Sequence, residues 1–225
     1  MVDCAQAVER PEGRSWNFQD PPEDSTIVME FRLVYQGSLP SASNSSPKPK
    51  AQHAIRKQLH LQLEQYWKEH PHLKHLLERG AFSGLQKSVV GTLADEFNRG
   101  KHGFVPLVRK REDTYCSLNI LFLRRDIPGR IVSGGDLDNR LKTLFDALKV
   151  PESTKGLPDV PEQGFDPIFC LLDDDDQITS LHVITDRILS PLKADEDRDD
   201  VVLVIHVHIY RGTNVSQIAG LPGAI

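Results

Sequence analysis

The chain has 225 residues, 39% of them hydrophobic and 26% charged, which is enough to bury one sizeable core and a tight fit for two independent domains. Its formal net charge of -5 does not advertise a nucleic-acid binder, yet the charge is unevenly spread: basic residues outnumber acidic ones between Lys48 and Arg130, whereas Asp173 to Asp176 and Asp195 to Asp200 are acidic runs. No apolar run approaches the roughly 18 to 20 residues that cross a bilayer, and the first residues lack a basic-then-apolar leader, so a cytoplasmic protein is expected. Cys4, Cys116 and Cys170 form no CxxC pair and leave an odd thiol, which fits a reducing compartment and argues against a structural zinc centre.

Residues 1–24 are polar and Pro-rich and read as an extension, with structure beginning near Ser25. Thr26 to Tyr35 is rich in β-branched and aromatic residues and predicts a strand, followed by a Gly/Ser/Pro/Asn loop through Lys50. Ile55, Leu59, Leu63, Tyr66 and Trp67 then recur at helical spacing, predicting an amphipathic helix from His53 to Glu69 that Pro71 helps to end. A weaker helical stretch runs from Leu73 toward Asn98, interrupted at Gly80.

Tyr115 to Arg124 predicts a second strand, and Gly129 to Gly135 a loop. From Leu137 to Leu148 a short helix gathers Leu141, Leu144, Phe145 and Leu148 on one face, with Asp138 and Lys142 four apart on another. Residues 150–167 form a long Pro- and Gly-rich loop, either a substrate-facing insertion or a tolerated one. Gln177 to Leu189 and Asp200 to Arg211 predict two more strands, with the acidic stretch 194–200 joining them as a hairpin, and residues 212–225 read as a tail. The sum is an α+β single domain over residues 25–211, a mixed or antiparallel sheet packed by two or three helices.

The chemistry concentrates in two acidic blocks, Asp136-Leu-Asp138-Asn139-Arg-Leu-Lys142 and, further on, Asp173-Asp174-Asp175-Asp176-Gln177-Ile178. Two carboxylates about 4 Å apart repel by roughly 4 kcal/mol at an effective dielectric near 20, so three gathered together call for a cation or a shared proton. Asp136 and Asp138 straddle a helix start, where capping alone also accounts for an Asp pair. Oxygen ligands without Cys or His select Mg²⁺, with Mn²⁺ as substitute, ions suited to phosphodiester chemistry. Lys142 is placed either to neutralise a phosphate or to form an ordinary i,i+4 ion pair with Asp138. An EF-hand loop from Asp136 would need Gly at Leu141 and Glu at Ala147, and an aspartyl-phosphate enzyme would need a hydrophobic strand just before Asp136; neither is present.

With Asp146-Ala147-Leu148 between them, these blocks resemble the RusA family of Holliday junction resolvases, whose pattern is Asp-x-Asp-Asn-x-x-Lys, then Asp-Ala-Leu, then Asp-Asp-x-Gln-Val/Ile. The resemblance covers about residues 115–210, and the insertion at 150–167 and both terminal extensions depart from it. It implies a RusA-like fold, metal carboxylates at Asp136, Asp138 and Asp175 with Asp174 as the alternate, and an essential lysine at Lys142. It further implies a Mg²⁺-dependent endonuclease on branched DNA and a homodimer, since two strands are cut symmetrically. Lys48, Lys50, Arg56, Lys57, Arg109, Lys110, Arg111 and Arg140, in or just beyond the basic middle of the chain, are the candidate DNA contacts. His70, His72 and His75 read as ordinary polar positions because Pro71 interrupts their spacing, and His206 and His208 share one strand face that could hold a metal or merely hydrogen-bond.

Overall fold

The structure is a computed structural model that describes residues 27–41, 48–78, 88–125, 136–189 and 200–212; for Ile27 and Asp136 the backbone alone is described. The sequence-predicted extension over residues 1–24, the loop at 129–135, the interruption at Gly80 and the tail beyond Gly212 lie outside these residues.

Strand β1 (Ile27–Ser38) leads into helix α1 (Lys48–Glu69), which starts five residues earlier than its apolar period predicts. Leu59, Leu63 and Trp67 of α1 are buried along one stripe, as helical spacing demands. Pro71 does not simply end this helix; it opens the next one, α2 (Pro71–Glu78), because a first-turn position has no intrahelical partner for an N–H anyway. Helix α3 (Val89–Glu96) follows, its start fixed by Ser88, whose Oγ accepts from the Gly91 N–H at 3.1 Å.

Strands β2 (Phe104–Val108) and β3 (Thr114–Arg124) come next, then α4 (Asp136–Leu148), β4 (Ile168–Leu172), β5 (Ile178–Arg187) and β6 (Asp200–Arg211). Neither β2 nor β4 is predicted from the sequence. Both are short, buried on both faces and paired in parallel, so they read as apolar runs without alternation, and Pro106 inside β2 argues against a strand until its pairing to Cys170 is seen.

The main sheet has the order β1-β6-β3-β5, with β6 antiparallel to β1 and β3, and β5 parallel to β3. The expected α+β domain with a mixed sheet is therefore observed, with four helices among the described residues and a second, two-stranded sheet. The expected hairpin between β5 and β6 is not, because β3 lies between them. Alternation marks a half-buried strand but carries no information about its neighbour, and the parallel β3–β5 pair is reached through the crossover β3–α4–β4–β5.

Leu203, Ile205 and Val207 of β6 point into the core with Leu118, Ile120 and Phe122 of β3, against Leu59 and Leu63 of α1 and Leu144 of α4. The alternate residues, including Val34 and Leu121, lie on an open face. Residues 150–167 contain neither helix nor strand but are tied down: His60 Nε2 lies 3.1 Å from the Gly164 carbonyl, His102 Nε2 lies 2.8 Å from that of Pro158, and Lys57 pairs with Glu162. Gly156, at φ +86°, lies so close to Pro49 that a Cβ would fall 2.4 Å from that ring.

Leu144 is fully buried whereas Leu61 is 55% exposed. We expect Leu144→Ala to lower the free energy of unfolding by about 2–5 kcal/mol and Leu61→Ala to change it by less than about 0.5 kcal/mol, read from urea unfolding midpoints.

Candidate metal and phosphate site at helix α4

Helix α4 presents two surfaces. Leu141, Thr143, Leu144, Ala147 and Leu148 are buried, while Asp138 and Lys142 are exposed one turn apart, as their four-residue spacing predicts. Asp136 is the first residue of the helix; its side chain lies outside the described residues. Asp146, in the last turn, faces α1: its Oδ2 accepts from Gln52 Nε2 at 2.8 Å and lies 3.2 Å from Lys48 Nζ. The Asp-Ala-Leu motif thus has a structural use, holding α4 against α1.

The second acidic block follows β4 as a 3-10 turn over Asp175–Gln177, against which α4 packs. Its four aspartates share two lysines, Lys110 and Lys149, and the backbone of the turn itself. Asp173 Oδ2 accepts the Lys110 N–H at 2.9 Å, and burial raises its carboxyl above the ordinary value. Asp174 caps the turn, accepting the Asp175 N–H at 2.8 Å, while Gln177 closes the box onto the Asp174 N–H at 3.0 Å. Asp176 pairs with Lys110 at 2.7 Å, which raises that ammonium's pKa.

Asp174 and Asp175 both meet Lys149, the residue directly after α4. Its Nζ lies 3.1 Å from Asp174 Oδ1 and 3.0 Å from Asp175 Oδ1, with only 10% of the side chain exposed. Burial by itself would lower the Lys149 pKa, but the hydrogen bonds to Asp175 and Asp174 outweigh it and raise it. The Asp174 carboxyl is held below its ordinary value, first by its hydrogen bond with the Asp175 side chain and, against burial, by the Asp175 N–H and Lys149. Sequence reasoning missed Lys149; the signal was a lysine directly following Asp-Ala-Leu, one loop before the acidic run.

The donor chemistry suits a hard divalent ion: carboxylate oxygens alone, with Asp138 exposed and Oδ2 of Asp175 outside the Lys149 contact. The described carboxylates Asp138, Asp174 and Asp175 do not, however, bring three ligand atoms within 4.8 Å of one another. Asp174 and Asp175 are brought together by Lys149, and Asp138 stands exposed on α4, the helix that packs against their turn.

The candidate DNA contacts divide by burial. Arg56, Arg109 and Arg140 are buried, which corrects their assignment as surface phosphate contacts. Arg56 Nη2 donates to the Asp146 carbonyl at 2.7 Å, Arg140 Nη1 to that of Leu39, and Arg109 pairs with Glu112, so these guanidiniums satisfy the fold's own acceptors. Burial also lowers the Arg56 pKa to about 10. Lys48, Lys57 and Lys110 are engaged with Asp146, Glu162 and Asp176, while Lys50 and Arg111 are exposed, Arg111 lying 3.7 Å from Glu96. A cleft of about 180 Å³ opens beside this cluster, with Arg56, Lys149 and Lys155 facing Asp146 and Glu152. His70 and His72 lie ring to ring at 5.7 Å at the α1–α2 junction, and neither they nor His75 belong to a metal-sized group among the described residues.

Replacing Lys149 by Met leaves two adjacent carboxylates without their shared cation. We expect a loss of about 1–2 kcal/mol at pH 7, below the 3–5 kcal/mol of a fully buried pair because both aspartates are half exposed to screening solvent. The depressed Asp174 carboxyl contributes stability that is fully present above its unfolded pKa of about 3.9 and lost as pH falls through the lower folded value. The gap between wild type and Lys149→Met in urea midpoint should therefore close below about pH 4. A gap that persists unchanged in acid would remove the ion pair as its cause. In comparisons with protein-family models, with curated proteins and with solved structures, the chain matches none.

Proposed function

We propose that this chain is a RusA-type endonuclease that hydrolyses phosphodiester bonds of branched DNA, four-way junctions first, with Mg²⁺ and, in substitution, Mn²⁺. The observation that carries the reading is the exposed pair Asp138 and Lys142, one turn apart on α4, on a helix that packs against the turn bearing Asp175. The order of the two acidic blocks and the intervening Asp-Ala-Leu supports it further.

Asp136, Asp138 and Asp175, with Asp174 as alternate, would hold the ion, which when bound supplies polarisation of the scissile phosphate and a more acidic water. Lys142 neutralises charge that accumulates on the phosphate oxygens in the transition state. Lys149 holds Asp174 and Asp175 side by side through the Oδ1 atom of each and helps to keep the Asp174 carboxyl below its ordinary value. The exposed Lys50 and Arg111 are available to the phosphate backbone. Symmetric cutting of a four-way junction requires two copies of the site, hence a homodimer.

A second reading is a DNA-binding or interaction module without turnover. It is favoured by Lys149 itself, which compensates the acidic turn without any metal, and by the lack of convergence among the described carboxylates.

Cleavage of a labelled synthetic four-way junction, beside duplex, flap, RNA and single-stranded controls and with Mg²⁺, Mn²⁺ or EDTA, separates the two. We expect paired, metal-dependent nicks in the junction, abolished by Asp138→Asn with binding retained. Cleavage of flap or RNA instead would keep the site and change the substrate, and no cleavage of any substrate would leave the binding module. For Lys142→Ala we expect kcat to fall by about 10²–10³ with metal affinity nearly unchanged; a loss of metal binding would make the lysine structural.

A further inference from the structure

On the open face of the main sheet, far in sequence from the acidic blocks, Glu30 of β1 and His206 and His208 of β6 bring three ligand atoms together. His206 Nε2 lies 2.6 Å from Glu30 Oε1, His208 Nε2 lies 3.0 Å from His206 Nε2, and His208 Nε2 lies 3.6 Å from Glu30 Oε1. Within the described residues this is the one group of three His, Cys, Asp or Glu side chains that converges in this way.

The register explains the convergence. Glu30 stands directly opposite His208 in the antiparallel β1–β6 pair, and His206 is two residues from His208, so all three project from the same side of the pleat. Both imidazoles are largely covered, with 12% and 13% of their side chains exposed, whereas Glu30 is half exposed. Ser117, opposite His208 on β3, places its Oγ 3.5 Å from His208 Nδ1. That hydroxyl oxygen can accept a hydrogen bond from Nδ1–H, the tautomer that leaves the Nε2 lone pair of His208 directed at the other two ligand atoms.

Hydrogen bonding alone serves this arrangement poorly. With His206 Nε2–H donating to Glu30, the His206 Nε2 has no lone pair for His208, whose own Nε2 is left a longer contact of 3.6 Å to the same carboxylate oxygen. A cation satisfies three lone pairs at once. The three separations of 2.6, 3.0 and 3.6 Å fall on both sides of the roughly 3.4 Å edge of a tetrahedron whose ligands lie about 2.1 Å from its centre, so sub-ångström side-chain adjustments suffice. Burial lowers the His206 pKa, and the hydrogen bond from His206 lowers that of Glu30, so both favour their metal-ligating forms. Arg32, opposite His206 on β1, disfavours its protonation, and Asn119 of β3 is its polar neighbour on the other side.

We propose that Glu30, His206 and His208 form a site for a borderline divalent transition metal, Zn²⁺ foremost, with three protein ligands and a fourth position open to water. Two imidazoles and one carboxylate are the mixed nitrogen and oxygen set that suits Zn²⁺ and disfavours Mg²⁺, which keeps this site chemically distinct from the oxygen-only carboxylates at α4.

The test is titration of the chelator-stripped full chain with Zn²⁺ by calorimetry and with Co²⁺ by visible absorption, for wild type and for His206→Ala, His208→Ala, Glu30→Gln and Ser117→Ala. We expect one Zn²⁺ per chain and the intense visible bands of four-coordinate Co²⁺. Affinity should fall by at least about 100-fold in either histidine variant and about 10-fold in Ser117→Ala. The Asp138→Asn, Asp175→Asn double variant should bind Zn²⁺ as wild type does, which separates this site from the proposed nuclease centre. Should a histidine variant fail to fold, Glu30→Gln, which alters a half-exposed position isosterically, must still weaken binding. Absence of Zn²⁺ binding in the wild type, or binding unchanged across the Glu30 and histidine variants, would overturn the proposal and leave a hydrogen-bonded sheet face.

Discussion

The Lys149 ammonium is where the two halves of this molecule's chemistry meet. Its backbone continues α4 and pairs with Leu172 of β4, its carbonyl lies 3.4 Å from buried Arg56, and its side chain closes on Asp174 and Asp175. A cation with so little exposure is tolerated only because two carboxylates compensate its lost hydration, and the carboxylates can stand side by side only because the cation separates their charges. Helix, strand and acidic turn are therefore positioned together or not at all.

Around that point the buried guanidiniums and the rim lysines find different partners. Arg56 donates to the Asp146 carbonyl and Arg140 to that of Leu39, buried Arg109 pairs with Glu112, and the rim lysines Lys48, Lys57 and Lys110 pair with carboxylates. Arg suits the first task because its planar fork carries five donors and it is more weakly hydrated than an ammonium. The consequence for function is that the basic middle of the sequence is only partly a basic surface: among the described residues Arg56, Arg109 and Arg124 are buried, whereas Lys50, Lys68, Lys74, Lys101, Lys110 and Arg111 are exposed.

The two proposed metal sites differ in the way they are built. At α4 the proposed ligands belong to a helix start and a later turn, with hard oxygen donors and a lysine already beside two of them. On the open sheet face the ligands come from the first and last strands, 176 residues apart, and are aligned by strand register. A site of the first kind leaves a motif; a site of the second leaves almost none, since any alternating strand with a histidine pair looks the same.

That difference sets what was legible in the sequence. Helix α4, its buried face, the exposed Asp138 and Lys142 and the strands β1, β3, β5 and β6 follow from periodicity, because burial of one face forces the apolar spacing. The acidic blocks and the Asp-Ala-Leu between them are visible as text. Strands β2 and β4 were hidden because burial on both faces erases alternation, and the order β1-β6-β3-β5 was hidden because a strand's own pattern does not encode its partner. The fate of each charge was decided by tertiary structure alone: whether Arg56 faces water or carbonyls, whether Lys149 meets Asp175, and whether Glu30 meets His208 depend on contacts between residues 26 to 178 positions apart. Composition and spacing determine which groups a chain can offer, and long-range packing determines which of them are left free to act.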